Sequence, residues 1–164
     1  MIYILMGVSG CGKSTIGHLL SAQLGFPFFD GDDFHPPENI AKMSGGIPLT
    51  DEDRLGWIEA IAAGLNSRPE VNLLLACSAL SANIRAKLGN ALRDSLQFIF
   101  LKGTAELIAA RLQKRSGHYM PPGLLASQFS ALQEPGPEAW QFDIHRPPED
   151  ICREIVKQIM SDIT

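Results

Sequence analysis

A glycine-rich segment with a lysine, MGVSGCGKST at residues 6–15, stands directly behind the apolar run IYIL. Gly7, Gly12, Lys13 and Ser14 match the pattern G-x-x-x-x-G-K-[ST], between a predicted strand and a predicted helix, which is the context that this pattern requires. Glycines let such a loop curl so that successive backbone N–H groups face one anion, and the following helix adds its N-terminus. The segment therefore predicts a site for the phosphates of a nucleoside triphosphate.

The side chains of this loop predict how ATP and a metal ion would be held. The Lys13 ammonium can reach the β- and γ-phosphates, and the Ser14 hydroxyl can bind Mg²⁺. Cys11 is interpreted as a small residue of the loop rather than as a reactive thiol. The predicted ATP-binding residues are Gly7, Gly10, Cys11, Gly12, Lys13, Ser14 and Thr15.

Two features of other nucleotide-binding proteins are missing from the sequence. It has no NKxD pattern, which recognises guanine, and the apolar run LLLACS at 73–78 ends without the aspartate of a typical Walker B strand. A small kinase is therefore a better interpretation than a GTPase switch or a motor ATPase.

Carboxylates follow the second apolar run of the chain, in FFDGDDFHPPENIAKM at 28–43. Ligands of a parallel sheet gather at the carboxyl ends of its strands, so Asp30 and Asp32 are expected beside the phosphate-binding loop. Asp32 is the candidate that orients an acceptor hydroxyl and takes its proton, which contributes about 10²–10⁴-fold in rate. Asp33 is interpreted as part of a solvated turn.

Arginines that could neutralise the transferred phosphoryl group come later in the chain. Arg111 and Arg115 are four residues apart on a predicted helix and therefore share a face, and arginine presents planar donors that suit phosphate oxygens. The segment that follows, at about 115–122, is predicted to be a lid over the nucleotide. The predicted catalytic residues are Lys13, Asp32, Arg111 and Arg115.

Three further basic residues, Lys42, Arg54 and Arg85, are dispersed in the sequence and could converge on the acceptor pocket. An anionic acceptor would need such partners. For each of the three, a surface ion pair is equally compatible with the sequence alone.

The elements that must position these residues alternate between strands and helices. Apolar runs predict strands at residues 2–6, 26–29, 71–77, 96–102 and 140–144. Because most of these runs are apolar throughout, both faces of the sheet are expected to be covered. Helical patterns follow Lys13 and recur at residues 50–65, 81–94, 104–115, 123–133 and 148–161. The alternation predicts a three-layer α/β domain with a mainly parallel sheet.

The region 31–70 leaves this simple alternation, with two helical stretches and no strand between them. It is predicted to be a substrate-binding insertion within a single kinase domain of residues 1–164. Its second helix has Thr50 at the N-cap position and three acids in the first turn, where the helix dipole favours them. The apolar stripe predicted for this helix comprises Leu55, Ile58, Ala62 and Leu65.

Composition and charge limit the partners of the chain. The sequence has 164 residues, a net charge of −4 and a pI of about 5.5, which argues against a nucleic-acid binder. No apolar run approaches the ~20 residues that cross a membrane, and the N-terminus lacks the basic region of a signal peptide. The three cysteines are widely spaced and fit reduced thiols. A cytoplasmic location is expected.

Together these residues resemble the gluconate kinase (gluconokinase) family of small P-loop kinases. The matching blocks run in order over nearly the whole chain: LMGVSGCGKST, FFDGDDFHPPENIAKMSGGIPLTDEDRLGWI, CSAL, FIFLKGTAELIAARLQKRSGHYMP, LLASQFSALQEP and DI at 143–144. A P-loop alone is shared by many families, so the D-G-D-x-x-H-P and P-L-x-D-x-D-R pieces of the second block are the most specific part of the resemblance.

The resemblance implies a nucleoside-monophosphate-kinase-like fold with a five-stranded parallel core, and a homodimer. It also implies ATP- and Mg²⁺-dependent phosphorylation of D-gluconate to 6-phosphogluconate, with Arg111 and Arg115 neutralising phosphate charge and His118 in the lid. Arg54, helped by Arg85 and Lys42, would hold the gluconate carboxylate. The residues implied for the gluconate side or its border are Asp32, His35, Lys42, Arg54 and Gln128.

One block departs from the family pattern. After CSAL the family usually continues with lysine and then a Y-R-D piece, whereas this chain has CSALSANIRAKL. Ser81 stands at the lysine position, Ile84 at the tyrosine and Ala86 at the aspartate, while Arg85 is kept. The loss of one basic residue bears on which sugar acid fits, more than on the type of reaction.

Two other functions stay open at this point. A shikimate-type kinase shares the D-x-D after the second strand, although the long block 35–57 argues against it. A nucleotide-binding regulatory module with little turnover would fit the altered run 81–86, although Asp32 and the two arginines before the lid argue against it.

Overall fold

Five strands form one sheet in which every neighbouring pair runs parallel. The computed structural model describes residues 1–114 and 122–164. The strands are β1 (Ile2–Met6), β2 (Phe28–Asp30), β3 (Leu73–Ala76), β4 (Leu96–Lys102) and β5 (Trp140–Asp143). Their order across the sheet is β2-β3-β1-β4-β5. The predicted α/β fold with a five-stranded parallel sheet is confirmed.

Helices cover both faces of this sheet, so the predicted three layers are present. In the described part of the chain they are α1 (Lys13–Leu24), α2 (Pro37–Ser44), α3 (Asp51–Leu65), α4 (Ala82–Ala91), α5 (Ala105–Lys114), α6 (Pro122–Ala131) and α7 (Pro148–Ile163). A 3₁₀ turn, Gly31–Phe34, follows β2 directly. Apolar residues of α1, α5 and α7 pack on one face of the sheet, and those of α3 and α4 pack on the other.

The central strand β1 shows why the sheet needs cover on both sides. Its side chains alternate between the faces: Tyr3 and Leu5 join the core under α1 and α7, whereas Ile4 and Met6 join the core under α3 and α4. All are buried, and each such side chain contributes roughly 1.5–3 kcal/mol. The loop that leaves the carboxyl end of β1 therefore begins from one of the most firmly held points of the molecule.

The helix α3 begins as the sequence predicts, and it buries three of the four predicted stripe residues, Ile58, Ala62 and Leu65. The Thr50 hydroxyl accepts a hydrogen bond from the Asp53 N–H at 3.1 Å, and the Asp53 carboxylate accepts one from the Thr50 N–H at 2.9 Å. The predicted stripe is wrong at Leu55, which is 42% exposed, whereas Trp57 and Ile61 are buried. In its first turns α3 contacts α2 through the Asp53 carbonyl, and Leu55 lies on another side of the helix.

The region 31–70 folds as the 3₁₀ turn, α2 and α3, without a strand in between. Its role as a substrate-binding insertion stays a prediction. The predicted lid, at about 115–122 with Arg115 and His118, lies outside the described residues except for its last position, at which α6 begins. Within the described ranges, no helix combines the length and the apolar character that crossing a bilayer takes. The three cysteines are buried free thiols.

Candidate active site

The phosphate-binding loop curls tightly at the carboxyl end of β1. Gly7 has φ +145°, and a Cβ there would lie 2.8 Å from Cys11 Sγ and 2.9 Å from the Leu101 carbonyl oxygen. Gly12 has φ +105°, and a Cβ there would meet no atom within 4 Å. The first glycine lets the loop close on itself, and the second leaves its rim clear for an anion.

A cavity of about 160 Å³ opens at this loop, between the ends of the strands β2 and β3 and the start of α1. Its lining brings together most of the residues predicted to hold ATP, and adds two carboxylates, from the end of β2 and from the turn that follows it. The lining residues are Ser9, Gly10, Gly12, Lys13, Ser14, Thr15, Asp30, Asp32 and Ala76.

The Lys13 ammonium lies over the loop that it follows. Its Nζ donates to the carbonyl oxygens of Gly7 at 2.9 Å and Val8 at 3.1 Å. Cys11 Sγ is 3.9 Å from the same Nζ, but burial raises the pKa of the Cys11 thiol more than the Lys13 charge lowers it. A protonated thiol is a poor nucleophile, which supports the interpretation of Cys11 as a small loop residue.

The Ser14 hydroxyl is connected to the carboxylates after β2. Ser14 Oγ donates to Asp30 Oδ2 at 3.2 Å, and Asp30 Oδ1 accepts the N–H of Asp32 at 3.0 Å. Hydroxyl and carboxylate oxygens are the hard donors that Mg²⁺ prefers, so the residues present fit this ion. The sequence placed Asp30 near the loop, but the bond that joins it to Ser14 appears only in the structure.

Asp32 lines both this cavity and a second one. The surrounding protein displaces part of the hydration of its carboxyl and, together with the like charge of Asp30, raises the pKa of Asp32; His35 and Lys13 act in the opposite direction. The Asp32 side chain is nevertheless 87% exposed, so water screens much of this effect. The carboxylate is therefore open to a ligand and faces both cavities.

The second cavity, of about 270 Å³, lies between α3, α6 and the segment that follows β3. A space of this size suits a small molecule. Arg54 supplies the cation of its lining, with a 42% exposed side chain and one exposed contact, Nη1 to Asp51 Oδ1 at 3.4 Å. Predicted acceptor-side residues in its lining are Asp32, His35, Arg54 and Gln128.

Gln128 connects this second cavity to the phosphate-binding loop. Its Oε1 accepts the N–H of Ser9 at 2.6 Å, and its Nε2 donates to the Ser9 hydroxyl at 2.9 Å. These bonds fix α6 against the loop across 119 residues of sequence. The resemblance assigned Gln128 to the acceptor side, but no sequence signal indicated its contact with the loop.

Arg85 supports the wall of the second cavity without lining it. Its guanidinium donates to the carbonyl oxygens of Ala79 at 2.8 Å, Leu80 at 3.2 Å and Gln133 at 2.9 Å. Ala79 has φ +45°, a conformation that costs free energy for a residue with a Cβ. Ser81, at the position of the family lysine, accepts the Ile84 N–H at 3.2 Å and caps α4.

Two other predicted cations are likewise bonded elsewhere in the described structure. Lys42 Nζ forms an ion pair with Asp53 at 2.8 Å, which joins α2 to α3. Arg111 donates to the carbonyl oxygen of Ile144, beyond β5. Neither is in the lining of the two cavities, so the structure does not bring Lys42, Arg85 and Arg111 together with the other predicted site residues.

Two residues that the sequence did not single out hold the turn that carries Asp32. Trp57 Nε1 donates to the Gly31 carbonyl oxygen at 2.7 Å, in a buried bond. The Asn39 amide, also buried, bonds to the Asp53 carbonyl oxygen at 2.9 Å and faces His35 Nδ1 at 3.3 Å. In a sequence, a tryptophan in a helix is typical of the hydrophobic core, and an asparagine in a polar helix is typical of the surface. The sequence pattern therefore does not predict the hydrogen bonds that these two side chains make.

Comparison with known proteins agrees with this geometry. A family model for shikimate kinase matches residues 9–123. The thermosensitive gluconokinase of Escherichia coli (strain K12) is 47% identical over 147 residues, which are 88% of this chain and 76% of that protein. The thermoresistant gluconokinase of the same organism is 41% identical, over 96% of this chain and 93% of that protein.

A solved structure, of a gluconokinase from Sinorhizobium meliloti 1021, superimposes with a TM-score of 0.83 at 43% identity, covering 93% of this chain and 87% of that one. The chain belongs to the gluconokinase family, within the group of P-loop kinases that the shikimate kinase model describes.

Proposed function

We propose that the protein transfers the γ-phosphoryl group of ATP to a hydroxyl of D-gluconate, forming 6-phosphogluconate and ADP. The observation that carries this proposal is the position of Asp32, whose carboxylate lines the phosphate-binding cavity and the second cavity at once. A hydroxyl held in the second cavity would meet the phosphate tail at this residue.

The chain's own residues account for the phosphoryl transfer. Backbone N–H groups of the loop and Lys13 bind the phosphates, while Asp32 orients the acceptor hydroxyl. As the acceptor oxygen bonds to the γ-phosphorus and the bond to the leaving oxygen of ADP breaks, Asp32 takes the hydroxyl proton. A raised pKa favours this role, since it brings the carboxylate closer to a group that accepts a proton at neutral pH.

Ser14, with Asp30 beside it, would hold Mg²⁺, which when bound neutralises charge on the β- and γ-phosphates. Arg111 and Arg115 are proposed to approach the transferring group when the nucleotide binds. For Arg111 this means leaving the carbonyl of Ile144, to which it now donates. The segment 115–122 is proposed to close over the nucleotide.

The second cavity is proposed to hold gluconate by its two ends. Arg54 would bind the carboxylate, and His35 and Gln128 would contact hydroxyl groups near Asp32. Lys42 and Arg85 are proposed to act by holding the walls, through Asp53 and the carbonyls at 79 and 80. Because Ser81 stands at the position of the family lysine, Arg54 is the cation in the lining of the second cavity. We therefore expect weaker discrimination among sugar acids than in an enzyme with lysine at position 81.

A substrate panel tests the proposed function. The full chain is incubated with ATP and Mg²⁺ and with gluconate, other sugar acids or shikimate, and the products are identified by mass. Gluconate should gain one phosphate in stoichiometric exchange for ADP. Turnover of shikimate without turnover of gluconate would contradict the proposal and favour the second candidate, a shikimate-type kinase, which the match to the shikimate kinase family model supports.

The same panel addresses the low-turnover regulatory module, which would bind ATP tightly and phosphorylate none of the acids. A homodimer, a cytoplasmic location and the absence of nucleic-acid partners are proposed as well, on the family resemblance and the net charge of −4. Light scattering of the purified chain tests the dimer, since a monomer mass of 17.9 kDa would contradict it.

A further inference from the structure

Asn39 is the buried polar side chain closest to the acceptor machinery, with 3% exposure. It lies on α2, outside both cavities, and contacts His35, which lines the second one. Burying an amide costs free energy unless hydrogen bonds compensate it. The bonds that this amide makes therefore indicate what it does.

The partners of Asn39 fix the hydrogen positions around His35. The Asp53 carbonyl oxygen, 2.9 Å away, can only accept, so the Asn39 atom that faces it is the donor Nδ2. The same Nδ2 faces His35 Nδ1 at 3.3 Å with its second hydrogen. His35 Nδ1 must then accept, and an imidazole that accepts at Nδ1 is neutral and carries its hydrogen on Nε2.

The surroundings of His35 favour this neutral state. Its ring stacks on Trp57, with centroids 4.7 Å apart and planes 11° from parallel, and its side chain is only 7% exposed. Burial lowers the pKa of His35, and this outweighs the opposite influence of Asp32. The ring is thus held on one edge by Asn39 and on one face by Trp57.

The free edge of the ring points towards the reaction centre. His35 Nε2 is 3.9 Å from Asp32 Oδ1, which is beyond a hydrogen bond but within reach of a small movement of the exposed Asp32 side chain. A hydrogen-bond donor at Nε2 can bind the Asp32 carboxylate, or an oxygen of the phosphoryl-acceptor substrate that is bound beside Asp32.

We propose that Asn39 is a positioning residue that fixes His35 as the neutral Nε2–H tautomer, so that the imidazole presents a hydrogen-bond donor to Asp32 and the acceptor at the mouth of the second cavity. The expected effect on kcat rests on the proposed function, whereas the tautomer of His35 does not depend on it. An uncharged donor orients the Asp32 carboxylate, whereas an imidazolium would lower the proton affinity that Asp32 needs to accept the hydroxyl proton.

The tautomer is measured directly in the unmodified protein. Two-bond ¹H–¹⁵N correlation spectra of the ¹⁵N-labelled chain distinguish a ring nitrogen that carries hydrogen from one that does not, and the His35 signals are those lost in His35→Gln. We expect hydrogen on Nε2 and none on Nδ1 at neutral pH. Hydrogen on Nδ1, in either the neutral or the charged ring, would overturn the proposal whatever the substrate is.

A matched pair of variants tests the donor in catalysis. The amide of His35→Gln can reach the Nε2 position, whereas the shorter amide of His35→Asn reaches only the Nδ1 position. We expect kcat to fall in both variants, and to fall tenfold or more further in His35→Asn than in His35→Gln, as for one lost hydrogen bond to a charged group. The KM for ATP should stay unchanged in both. Equal losses in the two variants would contradict a role for the Nε2 donor.

Asn39→Asp tests the positioning residue. The new carboxylate can only accept, so it should draw hydrogen to His35 Nδ1 and shift the His35 signals to the other tautomer or to the charged ring, with a fall in kcat. Unchanged His35 signals in a folded Asn39→Asp variant would show that Asn39 does not set the tautomer. If this variant does not fold, the spectrum of the unmodified chain and the His35 pair still decide the proposal.

Discussion

Asp32 is the residue whose replacement separates chemistry from nucleotide binding. Asp32→Asn keeps the size of the side chain and removes its capacity to take a proton, so kcat with gluconate should fall by about 10²–10⁴-fold. ATP affinity, measured by calorimetry, should change little, because the phosphates are held by the loop and Lys13. A kcat equal to that of the unmodified enzyme would remove Asp32 from the chemistry.

Lys13→Ala is the contrasting variant, in which both ATP affinity and kcat should fall.

Arg54 and Lys42 offer a comparison of two cations with different positions. Arg54→Ala should raise the KM for gluconate by tenfold or more, as for a hydrogen bond to a charged group of about 1.5–3 kcal/mol. Lys42→Ala removes a similar charge, but one paired with Asp53 outside the lining of the cavity, and should mainly lower the unfolding midpoint. Steady-state kinetics with varied gluconate gives the KM of both variants, and urea unfolding gives their midpoints. Equal KM values for Arg54→Ala and the unmodified chain would contradict carboxylate binding by Arg54.

The sequence could predict the residues of the phosphate-binding loop because their roles depend on neighbours in the chain. Lys13 and Ser14 follow the glycines immediately, and both line the cavity. The sequence could not predict that Arg85 binds the Gln133 carbonyl oxygen or that Gln128 binds Ser9, because these contacts join residues 48 and 119 positions apart. Charge and residue type were visible, but the partner of each charge depends on the tertiary fold.

At the scale of elements, the junction of β2 and the 3₁₀ turn decides where the two carboxylates lie. Gly31 is buried there, and a Cβ would lie 2.7 Å from the Ala76 carbonyl oxygen, a backbone atom of β3. Gly31→Ala should therefore push the turn away from β3, with a loss of roughly 1–3 kcal/mol in unfolding free energy. A fall in kcat should accompany it, because Asp30 and Asp32 flank the position.

Gly89→Ala is the matched control for this substitution. Gly89 is exposed within α4, and a Cβ there would meet no atom within 4 Å. Alanine in a helix interior should stabilise by up to about 1 kcal/mol and leave kcat unchanged. Urea unfolding and gluconate kinetics on both variants check the pair. If Gly31→Ala matched Gly89→Ala in both measurements, the close approach of the turn to β3 would not matter.

The elements themselves were predicted well where periodicity is strong. The strands β1 and β4 occupy the predicted ranges 2–6 and 96–102. Ile151, Ile155 and Ile159, which stand four residues apart in the sequence, are buried on α7. The stripe of α3 failed at Leu55, which is exposed, whereas Trp57 and Ile61, outside the predicted stripe, are buried. Periodicity shows that a helix has an apolar face, but it does not show which neighbour each turn will find.

The molecule as a whole brings together strand ends that are not adjacent in the sheet. β3 lies between β1 and β2, yet the start of α1 and the end of β2 meet across it, through Ser14 and Asp30. Ala76, the last residue of β3, lines the cavity between them, and its small side chain leaves the space in which they meet. The strand order follows from tertiary packing, whereas the alternation of strands and helices predicts only that the sheet is mainly parallel.

The stability of the molecule in acid should depend on the contact between α2 and α3. Hydrogen bonds from Lys42 and Thr50 lower the pKa of Asp53 from 3.8 to about 2. A carboxyl with a lowered pKa stabilises the fold fully above its unfolded value and loses this contribution as pH falls through the folded value. The unmodified chain should therefore have a higher urea midpoint than Asp53→Asn at pH 6, and the difference should close between about pH 4 and pH 2.

Asp94→Asn, in an exposed connection before β4, controls for the loss of one negative charge. A difference between Asp53→Asn and the unmodified chain that stays constant down to pH 2 would mean that Asp53 acts through its shape and not through its charge.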